Sequence, residues 1–395
     1  MARPTWPKEN DDPWFQIAEA GWDDISDRAD LALATASGQS ATPGVVILDS
    51  FAGSTDDAKL TNALSYAAAQ TVKPPIAWGN RRYDHTQGNR QVYSGMKLVG
   101  LGGYGDQQRG ANSIPNDIRY NGTGTWWQFP SGQTFDVQFQ GLSFQGNSNA
   151  QFIACNPGVA WISVWRDLGF NLWKHVFGNP TTKFLHTACK IGMGFFNANN
   201  GYNTFGTFGG SDSEFFTEGA LIDSPPSTMT AGAYHLIFDY TEKSGCGPIY
   251  MTAERSSGIR ILGGQTTTGL VFNGMGRVEG RNINQPCVGS NIRIDGAGVT
   301  LRDWWVAYGG TAFNTNGHTG EGGVITQTGG DVLYDGLWYD RAAGVAETVP
   351  FIYVSGGVAR VRNIRKGYKG GSWTGLPRVD QAGGTVDADN SVTVI

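Results

Sequence analysis

The sequence predicts an all-β fold, a solenoid of parallel strands, from its composition and from an internal repeat. Glycine supplies 58 of the 395 residues, aromatic residues make up 12% and charged residues only 16%. Ordinary soluble domains carry about 25% charged residues, and glycine without a three-residue period excludes collagen. The many aromatic side chains supply apolar surface to bury, which disfavours disorder. These figures indicate a folded chain of short strands separated by glycine.

Five segments repeat one pattern, in which alternating apolar positions precede and follow a turn residue. The turn residue belongs in each case to a type that tolerates a left-handed backbone. These turn residues are Gly141, Asp167, Asp303, Gly336 and Asn363. The intervals between successive turn residues match the roughly 20 to 50 residues per repeat that are typical of solenoids and propellers. The one long interval, from Asp167 to Asp303, would hold about five more repeats. The shorter intervals are below the roughly 40 residues that a four-stranded propeller blade needs. We therefore predict a parallel β-helix of about ten coils.

Residues 1–42 differ from the rest and predict a helical segment. Apolar residues recur there at steps of three and four, as in the seam of a helical bundle between chains. These residues are Phe15, Ala18, Trp22, Ile25, Ala29, Ala32 and Ala36. A single helix packed on its own domain remains the alternative. We predict an oligomerisation segment over 1–42, a β-helix domain over 43–370 and C-terminal tail strands over 371–395.

A second helix is predicted over residues 55–70, directly after a β run at 45–52. Ser54 or Thr55 can cap this helix, and two aspartates suit its positive N-terminus. Its apolar stripe is formed by Leu60, Ala63, Leu64 and Ala67. The pair Pro74-Pro75 ends the helical stretch.

Charge and motifs exclude several classes of function. A net charge of −5 argues against nucleic acid as a partner. No apolar run reaches the roughly 18 residues of a membrane span, and the N-terminus has no signal-peptide pattern. The glycine-rich stretch at 100–105 is not followed by a helical pattern, so we interpret it as a loop and expect no nucleotide cofactor. The four cysteines form no Cys-x-x-Cys motif, and we expect no metal.

One segment has the pattern of a known family. Residues 49–57, the helix after them and residues 94–102 resemble the entry of pectate-lyase-like right-handed parallel β-helices. That family opens with a Gly-Asp-Gly-x-Thr-Asp-Asp segment, a helix that plugs the mouth of the β-helix, and a first coil. Here Thr55-Asp56-Asp57 is kept, while the preceding Gly-Asp-Gly is reduced to Gly53-Ser54. The resemblance covers about residues 45–370 and implies a right-handed helix with a capping helix at 55–70. It is weak for chemistry because this fold supports many activities.

Paired carboxylates are the main candidates for catalysis. Asp212 and Glu214 are two residues apart, so in a strand they would face one side about 6.6 Å apart. Glycosidase carboxyl pairs are separated by about 5–9.5 Å. Glu218 and Asp223 are nearby alternatives. Solvated loop acids remain the competing interpretation, because the neighbouring residues are small and polar.

The repeat alignment offers a second candidate site. It places Trp304, Leu337 and Ile364 in the core. The residues that follow them, Trp305, Trp338 and Arg365, then face outward on adjacent coils. Exposed tryptophan marks binding surfaces. We interpret these three residues either as a glycan platform or as a subunit interface in a trimer.

Together, the resemblance and the N-terminal segment lead us to expect a phage tail component, a tailspike or minor tail protein of the virion. It would be a homotrimer that contacts other tail proteins through residues 1–42 and host-surface polysaccharide through the β-helix. A polysaccharide-degrading enzyme, either glycoside hydrolase or lyase, is one alternative, and a purely structural tail protein is another. We expect a binder more than a catalyst.

Overall fold

A computed structural model describes most of the chain from residue 44 to residue 395. The described ranges are 44–101, 117–130, 135–147, 149–155, 161–178, 184–185, 188–197, 204–210, 214–224, 234–240, 245–246, 249–253, 257–263, 270–272, 277–280, 290–296, 298–308, 319–341, 349–366 and 375–395. The predicted N-terminal helical segment over 1–42 lies outside the described residues. None of the described helices has the length and apolar character that crossing a bilayer requires.

Regular structure in the described residues is mostly β, in three sheets of parallel strands with few helices. Sheet A has 15 strands: Val46–Ile47, Ile76–Trp78, Tyr83–His85, Lys97–Gly100, Asp117–Tyr120, Phe135–Gln140, Ser143–Gln145, Trp161–Asn171, Ala188–Asn197, Glu214–Ser224, Ile249–Ala253, Arg277–Gly280, Trp305–Tyr308, Trp338–Arg341 and Arg365–Lys366. Sheet B has 13 strands: Arg90–Gln91, Thr125–Phe129, Gln151–Cys155, His175–Phe177, Phe184–Leu185, Thr204–Gly210, Tyr234–Tyr240, Ser257–Gly263, Ile292–Ile294, Ile325–Gln327, Ile352–Val354, Arg378–Gln381 and Thr393–Val394. Sheet C has 6 strands: Gly245–Cys246, Leu270–Phe272, Gly298–Arg302, Asp331–Asp335, Val358–Arg362 and Thr385–Ala388.

The order of strands along the chain gives the architecture. From Ser257 to Ala388 the described strands follow one another in the rotation B, C, A. Each pass adds one strand to each sheet, and that strand pairs in parallel with its counterpart from the previous pass. Parallel strands need long crossover connections, and here the other two sheets supply them. The strands after residue 375 continue sheets B and C in the same way.

The repeated sequence pattern corresponds to a strand of sheet C, a corner and a strand of sheet A. At the corner, four of the five predicted turn residues have a positive φ. These residues are Gly141 (64°), Asp303 (57°), Gly336 (68°) and Asn363 (55°). Asp167, in the looser copy, lies instead within the unbroken strand Trp161–Asn171. The early coils therefore keep both halves of the pattern in sheet A, where Phe135–Gln140 and Ser143–Gln145 pair with this one strand.

A second kind of corner, between sheets B and C, is built from stacked glycine pairs. Gly330, Gly357 and Gly384 occupy equivalent places on successive coils, with φ of 80°, 79° and 72°. A Cβ atom on Gly357 would lie 2.2 Å from the carbonyl oxygen of Gly330. The coils therefore approach each other backbone to backbone at this corner. The buried Gln327 supports it, because its side-chain amide donates to the carbonyl oxygens of Gly330 and Val358.

The interior accounts for much of the aromatic content of the chain. Fully buried side chains include Trp78, Trp126, Trp127, Trp165, Trp173 and Trp304. The rings of Tyr120, Trp126 and Trp173 are nearly parallel, with centroids 5.4 to 6.1 Å apart. Large flat side chains with few rotatable bonds fill the space between the sheets, so each buries a large area at modest entropic cost.

The helix Asp56–Ala69 confirms the predicted helix at 55–70 to within one residue at each end. Thr55 is its N-cap, and the Thr55 hydroxyl accepts a hydrogen bond of 3.1 Å from the backbone amide of Ala58. A short 3₁₀-helix, Leu48–Ser50, precedes it. Leu60, Ala63 and Ala67 bury the apolar stripe against the rest of the core.

Asp57 fastens this helix to the first coils. Its carboxylate accepts from the Arg90 guanidinium at 2.6 Å, from the Thr86 amide and hydroxyl at 2.8 and 2.9 Å, and from the Gln87 amide at 3.1 Å. His85 Nδ1 lies 3.2 Å away. Burial acts to raise the pKa of Asp57, but the hydrogen bonds from His85, Thr86 and Arg90 outweigh it and hold the pKa well below 3.8.

A second charged group lies beside the first. Arg81 donates to Asp49 and Asp56, with one contact of 2.6 Å to each, and the Tyr83 hydroxyl donates to Asp49 at 2.7 Å. Partial burial opposes ionisation of Asp49, but the hydrogen bonds from Arg81 and Tyr83 lower the pKa of this aspartate to about 2. Both aspartates of the Thr-Asp-Asp motif thus act as structural groups that hold the helix in place.

Candidate functional site

The corner between sheets C and A determines which side chains reach the surface. Directly after the corner, Trp304, Leu337 and Ile364 point inward and are buried, at 0%, 0% and 6% exposure. Because side chains alternate along a strand, the next residue on each coil points outward. Those next residues are Trp305, Trp338 and Arg365.

Strand register aligns these three residues on adjacent coils. Trp305 pairs with Trp338, and Trp338 pairs with Arg365. Arg277 takes the preceding place in the same row, and Tyr250 the place before that. We call this row of positions 250, 277, 305, 338 and 365 the Trp305 column. Its members are separated by about 4.8 Å per coil.

Side-chain geometry in the column is partly stacked. The guanidinium carbon of Arg365 lies 5.3 Å from the centroid of the Trp338 ring, within the range of a cation–π contact. The sequence predicts exposed tryptophans, but Trp305 and Trp338 are half-buried and only Arg365 is exposed. Arg365 covers part of the Trp338 ring, which accounts for part of the burial of Trp338.

The corner beneath Arg365 is held by side chains. The backbone amide of Asn363 donates to the Asp389 carboxylate at 2.8 Å, and that of Ile364 donates to the Ser391 hydroxyl at 2.9 Å. Partial burial opposes ionisation of Asp389, but hydrogen bonds from Ser391 and Asn363 outweigh it and keep its pKa low. The backbone that leads into Arg365, at the end of the Trp305 column, is therefore fixed by hydrogen bonds.

A polar row runs alongside. Two residues further along each strand, register aligns Asp223, Thr252, Glu279, Ala307 and Asp340, which we call the Asp340 column. Acidic residues occupy every second place, so their backbones are on the order of 9–10 Å apart. Asp340 is 2% exposed.

The predicted carboxylates fall elsewhere, apart from Asp223. Asp212 lies outside the described residues. Glu214 and Glu218 belong to the strand Glu214–Ser224, where they are in register with Ala188 and Gly192. Leu221 of this strand pairs with Tyr250, the first position of the Trp305 column, and lies three coils before Trp305. The structure thus separates Glu214 and Glu218 from the tryptophan residues.

Sequence reasoning missed the Asp340 column. Its members lie on separate coils, far apart in the sequence, and share no motif, so only the register between coils reveals them. Within the residues that the structure describes, no cluster of His, Cys, Asp and Glu is suited to hold a metal ion.

No protein-family model matches the chain, and no curated protein matches it by sequence. Among solved structures, the A-module of the mannuronan C-5 epimerase AlgE6 of Azotobacter vinelandii matches with 12% identity and a TM-score of 0.38, over 89% of this chain and 99% of that one. The catalytic domain of a GH87 α-1,3-glucanase in complex with tetrasaccharides matches with 13% identity and a TM-score of 0.28, over 90% of this chain and 69% of that one.

Proposed function

We propose that this protein binds polysaccharide along the Trp305 column, as the host-contacting component of a phage tail. One observation carries the binding proposal, the alignment of Trp305, Trp338 and Arg365 on consecutive strands of one sheet. Aromatic side chains can pack against sugar rings, and the sheet repeats these positions at a step of about 4.8 Å per coil. A rigid sheet holds such groups at fixed separations and lowers the entropic cost of binding.

The architecture that we propose is a right-handed β-helix of about ten coils, closed at one end by the helix Asp56–Ala69. Crossovers between parallel strands are almost always right-handed. The polar clasp around Asp57 supports a capping role, because it joins the helix to the first coils. A density map from electron microscopy that shows a left-handed path would contradict this part.

For assembly, we propose a homotrimer in the virion whose residues 1–42 bind other tail proteins. Support comes from the apolar seam of residues 15–36 in the sequence. Sedimentation equilibrium at micromolar concentration tests the trimer, and a monomer mass would overturn it. A truncated chain that starts at residue 43 and still enters virions would overturn the attachment role.

Affinity electrophoresis in gels that contain a single soluble polysaccharide tests binding. We expect the double variant Trp305→Ala/Trp338→Ala to lose retardation in the gel that retards the natural protein. The matched control is Tyr66→Ala, which removes a 49% exposed aromatic ring from the helix and should leave retardation unchanged. Asp212→Asn with Glu214→Gln should leave it unchanged as well. Equal retardation of the tryptophan variant and the natural protein would refute the proposal.

A polysaccharide-degrading enzyme is the second candidate, and the Asp340 column favours it. That column places acidic residues on alternate coils beside the Trp305 column, with backbones on the order of 9–10 Å apart. Inverting glycosidases hold their two carboxyl groups about 6.5–9.5 Å apart, on either side of the bond that they cleave. New reducing ends or unsaturated products after incubation with the bound polysaccharide would establish this activity. Loss of turnover in Glu279→Gln, or in the Asp212/Glu214 double variant, would identify which acids carry it.

A further inference from the structure

The apolar core differs between the first coils and the last one. The helix Asp56–Ala69 packs on the core at the first coils. In sheet B, one inward row of side chains runs through Ile325, Ile352, Val379 and Val394. The first three of these side chains are fully buried, whereas Val394 is 43% exposed. In the described part of the chain, core positions of the last coil are therefore open to the surface.

Sheet C ends in the same way, at the strand Thr385–Ala388. Val386 and Ala388 of this strand pack against the core but are only half-buried. The residues in register with them on the preceding strand, Ala359 and Val361, are fully buried. Among the described strands, Thr385–Ala388 has a neighbour on one side only, so it forms an edge of sheet C.

The backbone of this edge strand presents hydrogen-bonding groups on its open side. The amides of Thr385 and Asp389 donate to carbonyl oxygens of the preceding coil at 2.8 and 3.1 Å. Because backbone groups alternate in direction along a strand, those of Val386 and Ala388 point away from the preceding coil. A row of such groups at a sheet edge is a template for pairing with a further strand.

The outward side chains of sheet C indicate which charge a further strand should carry. Opposite charges face each other between successive coils, as in Arg302–Asp335 and Arg362–Asp387. The Asp387 side chain remains 58% exposed beside Arg362. Residues 375–395 carry three acidic residues and one basic residue. A basic side chain opposite Asp387 would continue the alternation, whereas an acidic one would face a like charge.

We infer that the last coil binds an extended segment of another protein, which adds a strand beside Thr385–Ala388. Its apolar side chains would cover the open core, and a basic side chain would lie at Asp387. Strand addition gives affinity through backbone hydrogen bonds and specificity through alternate side chains. Charge disfavours two other occupants, because residues 1–42 carry eight acidic and three basic residues and the last coil of a second copy is itself acidic.

The test uses two synthetic peptides and the full chain. The first peptide has the sequence of residues 356–364, which contain the strand Val358–Arg362 that already pairs with Thr385–Ala388. In the second peptide, glutamate replaces both arginines. We expect the basic peptide to bind about tenfold or more tightly in fluorescence anisotropy, because two positions change from opposite to like charge. Hydrogen exchange at the amides of Val386 and Ala388 should slow when the basic peptide binds.

Variants of the protein separate charge from backbone pairing. Asp387→Lys should reverse the preference, so that the acidic peptide binds more tightly. Asp331→Lys is the matched control, because it makes the same change at a 50% exposed residue of sheet C two coils earlier, and it should leave the preference unchanged.

Ala388→Pro removes an amide on the open side of the strand and should abolish binding of both peptides. A basic peptide with methylated backbone nitrogens should fail to bind the natural protein, which gives the same test without a change in the protein. Unchanged thermal unfolding of each variant excludes misfolding as the cause.

The contrary outcomes are distinct. Equal binding of the two peptides would overturn the basic partner, and binding of neither would overturn strand addition; both results leave the proposed polysaccharide binding standing. Binding only by a chain that starts at residue 43 would identify residues 1–42 as the occupant and overturn the inference. A change of oligomeric state in Ala388→Pro, seen by sedimentation, would show that a second copy covers the last coil, with the same consequence.

Discussion

Asp57→Asn is expected to destabilise the protein strongly, although it changes only one oxygen atom to a nitrogen. In the folded protein the carboxylate of Asp57 faces Arg90, whose side chain is 3% exposed, and it also accepts from two backbone amides. An amide in its place carries no charge and turns one acceptor into a donor. Arg90 would then keep its charge in a buried position without its partner.

The size of this effect follows from the burial of the pair. Removing one partner of a buried ion pair costs about 3–5 kcal/mol. The Asp57 side chain is 18% exposed, so water can reach part of it and we take the lower end, about 3 kcal/mol. With a slope of about 3 kcal/mol per M of urea for unfolding, the midpoint should fall by about 1 M.

The assay is urea unfolding followed by tryptophan fluorescence, with Asp84→Asn as the matched control. The Arg82–Asp84 pair is exposed, at 53% and 46%, and such pairs contribute less than about 1 kcal/mol. Because the pKa of Asp57 is lowered in the folded state, its contribution is fully present above 3.8 and is lost as the pH falls further. The gap between the natural protein and Asp57→Asn should therefore close below about pH 4. Equal midpoints for the two variants at pH 7 would refute the reasoning.

Three further predictions concern stability. Gly357→Ala should cost about 1–3 kcal/mol more than Gly124→Ala in thermal unfolding, because both have positive φ but only Gly357 lies against backbone atoms of the preceding coil. Equal costs would contradict the stacking. Thr55→Ala should cost about 1 kcal/mol by loss of the helix cap, and Thr55→Ser should restore it in the same thermal assay. Burial, together with the nearby charge of Lys174, lowers the pKa of His175 to about 4. The natural protein should therefore lose stability as the pH falls from 6.5 to 4, because the unfolded chain takes up a proton at His175 and the folded chain does not. The variant His175→Asn should lose less stability over that range.

The repeat and its corners could be predicted because their signals are local. An apolar pattern around a residue such as Asn363 or Gly336 needs no knowledge of the partner strand, and the interval between these two turn residues already gives the register of Trp338 with Arg365. The helix was predictable for the same reason, since Thr55 and the two aspartates after it are contiguous in the sequence.

Features that depend on distant parts of the chain were not predictable. Asp56 and Asp57 suit a helix N-terminus by sequence, but their main partners, such as Arg81 and Arg90, are 25 to 33 residues away. The glycine pair at 356–357 has the sequence of an ordinary loop, and its close contact with the backbone of the preceding coil is visible only in the folded structure. The sequence likewise does not show that Trp305 is half-buried.

The unequal intervals between coils have a consequence for how this surface can change. The chain takes a longer path from Trp305 to Trp338 than from Trp338 to Arg365, yet all three keep their register. Connecting segments therefore absorb differences in length without displacing the side chains on sheet A. Duplication of one coil would add one more position to the row, and deletion would remove one. The number of side chains in the Trp305 column can thus change in whole steps, independently of the chemistry at each position.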